Sequence, residues 1–236
     1  MKKTVLITGA SKGIGREIVL EFASKGYNVV FTYLTSYEEK EKLIEEINKK
    51  FDVDVLCMKV DITKEEDIIK LVDEVKTKFD KIDILINNAC YVQDNNYIDK
   101  TKEEFLKVLE VNVVGTFLVT KYVTDIMKSG TVINISSLDA TKTYNELSMD
   151  YCASKAGVNS LAQTFSLAIP NIKFISLMLP WVNTEIVREM YTEYLNNELK
   201  RVGQKRLLEP NEVSKKIYDI VNDDTIKSGS ILSMEV

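Results

Sequence analysis

The sequence predicts an α/β protein: a Rossmann-like, doubly wound parallel sheet of roughly seven strands with helices on both faces. Three observations carry that expectation. Short apolar runs alternate along the chain with charged segments of helical period. The first apolar run ends at a glycine-rich turn that opens a helix. The only prolines, Pro170, Pro180 and Pro210, all lie in the last third. Alternation of this kind implies βαβ units, whose right-handed crossovers put helices on both faces.

The elements follow in order. Residues 4–8 (TVLIT) form a short apolar run that stops at glycine and reads as a buried strand. Residues 16–24 carry Ile18, Val19, Phe22 and Ala23 at helical spacing. A second strand spans 28–33 (NVVFTY), and a charged helix spans 37–50 with Leu43, Ile44 and Ile47 on one face. The third strand is 53–59 and the next amphipathic helix 64–79. The fourth strand is 82–86 (IDILI), followed by one long helix over 102–124. The fifth strand, 131–135 (TVINI), leads into a helix over 151–168. A sixth strand at 173–179, a helix at 211–221 and a last strand at 230–234 complete the pattern. No low-complexity segment or repeat divides the chain, so residues 1–236 are expected to form a single domain.

Composition narrows the chemistry. Of 236 residues, 45% are apolar and 28% charged, as in ordinary globular proteins. There is no histidine, which excludes Ser-His-Asp and Cys-His nucleophiles, His-ligated metals and imidazole acid–base catalysis. A net charge of −5 gives no field that favours nucleic acid. Cys57, Cys90 and Cys152 are far apart without CxxC spacing and read as reduced thiols rather than a zinc site or a disulfide framework. The apolar run after Met1-Lys2-Lys3 is too short for a signal peptide, and no run approaches a membrane span. A cytoplasmic protein without a metal is expected.

Three local patterns carry chemistry. The first turn reads Thr8-Gly9-Ala10-Ser11-Lys12-Gly13-Ile14-Gly15. Glycines after a strand let the backbone approach a pyrophosphate, and the helix N-terminus offers it free N–H groups and a positive dipole. Tyr151 and Lys155 stand at i and i+4 of one helix face, so an ammonium can lie near a phenol and lower its pKa. Ser136 and Ser137 leave the fifth strand at the sheet edge where open α/β folds bind ligands; a hydroxyl there can meet a carbonyl, though serine is also common turn chemistry.

Together these residues resemble the short-chain dehydrogenase/reductase family over nearly the whole chain. The family's TGxxxGxG is met by Thr8, Gly9, Gly13 and Gly15, and its Asp after the third strand by Asp61-Ile62-Thr63. Its Asn-Asn-Ala-Gly is met by Asn87-Asn88-Ala89, with Cys90 in place of the glycine. Its helix Asn, its Tyr and Lys, and its Pro after the sixth strand match Asn112, Tyr151, Lys155 and Pro180. The nearest character is that of the 3-oxoacyl-acyl-carrier-protein reductase-like members. Three departures stand out. Ser137 lies 14 residues before Tyr151 where the family has 13, which makes Ser137 the choice and Ser136 the reserve. Trp181 replaces the glycine after the proline, and Cys90 puts a side chain where the backbone passes the cofactor.

The resemblance implies reduction of a carbonyl by hydride transfer from NADPH, with Asn112, Ser137, Tyr151 and Lys155 as the catalytic set. Ser137 and Tyr151 would hold the carbonyl, and Asn112 would hold a water linking Lys155 to solvent. Cofactor contacts would come from Gly9, Ser11, Lys12, Gly13, Ile14 and Gly15, then Tyr33, Thr35 and Ser36, then Asp61, Ile62, Asn88 and Ala89, and finally Tyr151, Lys155, Pro180, Val182 and Thr184. NADP is expected rather than NAD because Tyr33 stands where NAD users place an acid, and Lys12 can meet a 2′-phosphate. The resemblance further implies a substrate lid at 184–206, a ketone, aldehyde or acyl thioester substrate, and a homodimer or homotetramer. Ala153, Gly157, Leu161 and Thr164 would line the dimer face, and the short C-terminus weakens the case for a tetramer. A non-catalytic dinucleotide-binding sensor on the same fold is the competing reading.

Overall fold

The computed structural model describes residues 2–235. The strands are β1 (Thr4–Ile7), β2 (Asn28–Tyr33), β3 (Val55–Lys59), β4 (Ile84–Asn87), β5 (Gly130–Ser137), β6 (Ile172–Leu179) and β7 (Ser230–Ser233). They form one sheet in the order β3-β2-β1-β4-β5-β6-β7, parallel at every pairing. The order reverses between β1 and β4. Their following segments therefore diverge and leave a crevice at the carboxyl ends of the strands, the ligand position of an open α/β sheet.

The helices are α1 (Gly13–Ser24), α2 (Tyr37–Lys50), α3 (Glu65–Phe79), α4 (Lys102–Leu109), α5 (Thr116–Thr124), α6 (Met149–Ala168), α7 (Glu185–Arg188), α8 (Thr192–Val202) and α9 (Pro210–Asn222). Strand alternation assigns them to faces. Val5 and Ile7 pack with Phe22 of α1, Leu43 of α2 and Ile217 of α9. Leu6 points the other way, to Leu71 of α3 and Val119 of α5. The register continues that second row across the sheet as Val30, Leu6, Leu85, Val132 and Phe174. Because side chains alternate with period 2, a one-residue slip would exchange the two cores, which pins the strands' relative heights.

The helix expected over 102–124 is not uniform. Glu110–Gly115 forms a wide π-turn between α4 and α5, and it carries the buried Asn112. Such turns insert a residue into an α-helix and redirect a side chain, often at functional sites. The start of α4 is fixed by a reciprocal capping box between Thr101 and Glu104. The segment expected as a lid, 184–206, holds the two helices α7 and α8.

Candidate active site

At the first turn the backbone of three strands is tied together. The Thr8 hydroxyl accepts the N–H groups of Asn88 and Ala89, each at 3.0 Å. The Asn88 amide donates to the carbonyls of Thr8 and Gly9, both at 2.9 Å. Gly9 N–H donates to the Thr32 hydroxyl at 3.1 Å, and Ala10 N–H to the Thr32 carbonyl at 2.8 Å. Gly9 has φ 60°, and a Cβ there would lie 2.8 Å from Ala89 Cα. At Gly15 a Cβ would lie 2.6 Å from Ala10 Cα and 2.7 Å from the Asn88 amide nitrogen. No side chain could fit at either position without moving backbone.

The space over Gly13 is open. The one atom within 4 Å of a Cβ placed there is the Thr184 methyl, at 3.8 Å. No side chain caps α1, and its first turn carries no acid. Its unneutralised N-terminus, facing open space beside the glycine turn, fits a pyrophosphate. Thr184, 171 residues away in sequence, is brought to the opposite side of that space.

At the end of β2, Tyr33 is half-buried, Thr35 exposed, and Ser36 sits at the N-cap of α2. Lys12 is exposed on the glycine turn. The structure adds a cation that the sequence did not single out. Lys40 Nζ lies 4.2 Å from the Tyr37 ring centroid and 5.5 Å from that of Tyr33, and it pairs with Glu41. Asp61 closes a local turn by accepting Thr63 N–H at 3.0 Å and its hydroxyl at 2.7 Å. Burial pushes its pKa up, but the Thr63 bonds and the nearby Lys64 outweigh this and hold it below the usual range. Ile62 beside it is buried.

Tyr151 and Lys155 occupy the first turns of α6. Lys155 Nζ donates to the Ile135 carbonyl at 2.8 Å and lies 5.3 Å from the Tyr151 ring centroid. The two serines separate. Ser136 is buried, and its hydroxyl donates to the Lys155 carbonyl at 3.3 Å. The Ser137 hydroxyl accepts Asp139 N–H at 3.1 Å and lies near enough to the Tyr151 phenol to favour its ionised form. Desolvation raises the phenol's pKa well above its ordinary value, Cys90 and Asp139 add to the rise, and Ser137 opposes it. Burial lowers that of Lys155. The net shift of the Tyr151 phenol is thus upward, opposite to the lowering expected from Lys155, because burial dominates.

Asn112 is held by protein on three of its side-chain hydrogen-bonding positions. Its amide donates to the Tyr91 carbonyl and to Ser154 Oγ, both at 2.9 Å, while its oxygen accepts Tyr91 N–H at 2.7 Å. Ser154 Oγ in turn donates to the Tyr151 carbonyl at 2.7 Å. Both amide hydrogens are spent on protein, so a water at Asn112 would donate to the remaining lone pair of its side-chain oxygen or to its backbone carbonyl. Its side chain joins the segment after β4 to α6.

The chain after β6 is held by contacts absent from any motif. Gln204 accepts Trp181 N–H at 2.9 Å and donates to the Trp181 carbonyl at 2.8 Å. Leu208 N–H donates to that same carbonyl at 3.0 Å, and Val182 bridges to Leu208. Trp181 therefore stands in for the family's glycine without positive φ. The Asn145 amide donates to the Tyr194 hydroxyl at 3.3 Å and Arg201 to the Thr143 carbonyl at 2.6 Å, which docks α8 onto the loop before α6. Cys90 is exposed and lies near both Tyr151 and Lys155. Among the described residues no group of His, Cys, Asp and Glu is disposed to hold a metal, and no helix is long and apolar enough to cross a membrane.

Comparison with known proteins gives a consistent result. A family model described as short chain dehydrogenase matches residues 3–195. The 3-oxoacyl-[acyl-carrier-protein] reductase FabG of Staphylococcus epidermidis is 29% identical over 228 residues, covering 94% of this chain and 93% of its own. The same-named protein of Staphylococcus aureus is 35% identical over 205 residues, covering 85% and 80%. Among solved structures, a short-chain dehydrogenase/reductase from Serratia marcescens superposes with a TM-score of 0.91 at 24% identity, covering 99% of this chain and 96% of that one.

Proposed function

The chain belongs to the short-chain dehydrogenase family, and on that premise we propose that it reduces a carbonyl to an alcohol with NADPH. One observation carries this reading: Tyr151, with Lys155 Nζ 5.3 Å from its ring centroid, stands by Ser137 at the sheet edge that also bears the glycine turn. Bound NADPH would supply a hydride from its nicotinamide. Ser137 and Tyr151 donate to the carbonyl oxygen, and Tyr151 gives its proton to the developing alkoxide. The raised pKa keeps that proton in place at neutral pH. Lys155 adds positive charge beneath the ring and a donor toward the ribose. Gly13, the N-terminus of α1 and Thr184 would hold the pyrophosphate.

NADPH is favoured over NADH because no carboxylate ends β2. Tyr33 stands there with the Lys40 ammonium near its ring, and Lys12 is free on the turn. The FabG relatives make a 3-oxoacyl thioester the first substrate to try. Loss of the reduced nicotinamide's absorbance with a panel of ketones, aldehydes and 3-oxoacyl thioesters tests the reading. Cofactor binding without turnover on any of them would favour the dinucleotide-binding sensor instead. We also infer a homo-oligomer. Leu106, Val114 and Phe117 are exposed along α4, the π-turn and α5, beside the exposed Ala153 and Thr164 of α6. Leu161 is half-buried next to them, whereas the space at Gly157 is already taken by Val113 of the same chain. A monomer at micromolar concentration in sedimentation would refute the oligomer.

A further inference from the structure

One buried charge pair has no part in the chemistry above. Lys100, just before α4, and Asp150, in the first turn of α6, meet at 2.8 Å with side chains 4% and 0% exposed. Lys100 also donates to the Gln93 carbonyl at 2.7 Å. The second oxygen of Asp150 accepts the backbone N–H of Tyr151 at 2.9 Å. A single carboxylate therefore links the segment after β4 to the peptide of the proton donor. Around it the same two segments meet again: Asn95 N–H donates to the Leu147 carbonyl at 2.9 Å, and the Ser148 hydroxyl to Asp94.

Burying two full charges is costly, and a well-packed apolar pair of similar volume is often at least as stable. What an apolar pair lacks is direction, because it would fix neither the loop's height nor the first turn of α6. We propose that Lys100 and Asp150 are positioning residues that lock residues 91–101 onto the first turn of α6 and so hold Tyr151 in place. The inference rests on the reductase reading for its kinetic consequence. Neither side chain touches the substrate.

The test uses Lys100→Met, the isosteric Asp150→Asn, and the two combined. Each single variant should lose roughly 10- to 100-fold in kcat, the size of effect a small misplacement of a catalytic group produces. NADPH affinity by fluorescence titration should not change, and the solvent deuterium isotope effect on kcat should rise as proton transfer becomes more limiting. The double variant leaves no charge unpaired and should regain thermal stability, yet kcat should stay low because the anchor is still missing. Wild-type kcat in the single variants, or a double variant that regains kcat together with stability, would overturn the inference and leave the reductase reading standing. A wild-type chain that turns over no carbonyl refutes the reductase reading instead. Hydrogen exchange then decides the anchor by itself: amides of 91–101 should exchange faster in Lys100→Met, and unchanged exchange would reject it.

Discussion

The two ends of the crevice are built differently. At the glycine turn backbone packs closely against backbone and is tied by side-chain-to-backbone hydrogen bonds, and the turn works by leaving atoms out: a Cβ at Gly9 or Gly15 has no room, and the first turn of α1 has no acid. At the proton donor the decisive contacts run from side chain to side chain. Asn112 meets Ser154 across 42 residues, Lys100 meets Asp150 across 50, and Asn145 meets Tyr194 across 49. The first end is a fixed cradle for an anion. The second is an assembly in which each part depends on the placement of another.

If that division is right, the largest effect comes from the donor itself. Tyr151→Phe removes one hydroxyl and almost no packed area, so stability and NADPH affinity should remain near wild type. Turnover should fall about 10²- to 10⁴-fold, the usual contribution of a general acid. Steady-state rates and a cofactor titration on the same preparation check both halves. Wild-type turnover would remove Tyr151 from the mechanism.

A smaller effect separates the two serines. Ser137 ends β5 on the side of the phenol, so Ser137→Ala should cost about 10²- to 10³-fold in kcat, as loss of one donor to a developing oxyanion does. Ser136 is turned to the Lys155 carbonyl at a long 3.3 Å, and Ser136→Ala should keep most of the rate. The reverse order in parallel kinetics would mean that the carbonyl approaches from the other side of β5.

The cradle can be broken alone. Gly15→Ala forces a methyl against Ala10 backbone and the Asn88 amide, and overpacking of that kind costs about 1–3 kcal/mol. Thermal midpoint and NADPH affinity should fall together, whereas kcat at saturating cofactor should hold. A drop in kcat at saturation would show that the two ends are coupled more tightly than their contacts imply.

This division also explains what was legible in the sequence. The strand and helix order was readable because a buried parallel sheet needs apolar runs and its helices need one apolar face. The cradle was readable because close backbone approach can be met only by glycine. The π-turn was not: residues 102–124 have ordinary helical period, and the departure coincides with Asn112's bonds to Tyr91 and Ser154. Gln204, which ties down Trp181, and Lys100, which pairs with Asp150, belong to no local pattern at all. The sign of the Tyr151 shift was missed for a related reason. The i, i+4 spacing shows that Lys155 is near, while burial and the positions of Cys90 and Asp139 are properties of the folded chain.

The smallest expected effects lie at the outer edge of the cradle, where side-chain charge returns to the problem. Lys12 has no salt-bridge partner among the described residues and is exposed. Lys40 is drawn over two tyrosine rings and paired with Glu41. A 2′-phosphate that met Lys12 would gain a charge-assisted bond of about 1.5–3 kcal/mol, so Lys12→Ala should weaken NADPH roughly 10- to 150-fold. The same phosphate must compete with Glu41, already paired with Lys40. Lys40→Met should therefore cost no more than about fivefold. Neither change should alter NADH affinity, because NADH lacks the phosphate. Titrating both reduced cofactors against both variants measures the two contributions separately, and raising the salt concentration should erode the NADPH advantage first. If NADH binds the wild-type protein as tightly as NADPH does, the open end of β2 is not a phosphate site. The absence of an acid at Tyr33 would then say nothing about cofactor choice.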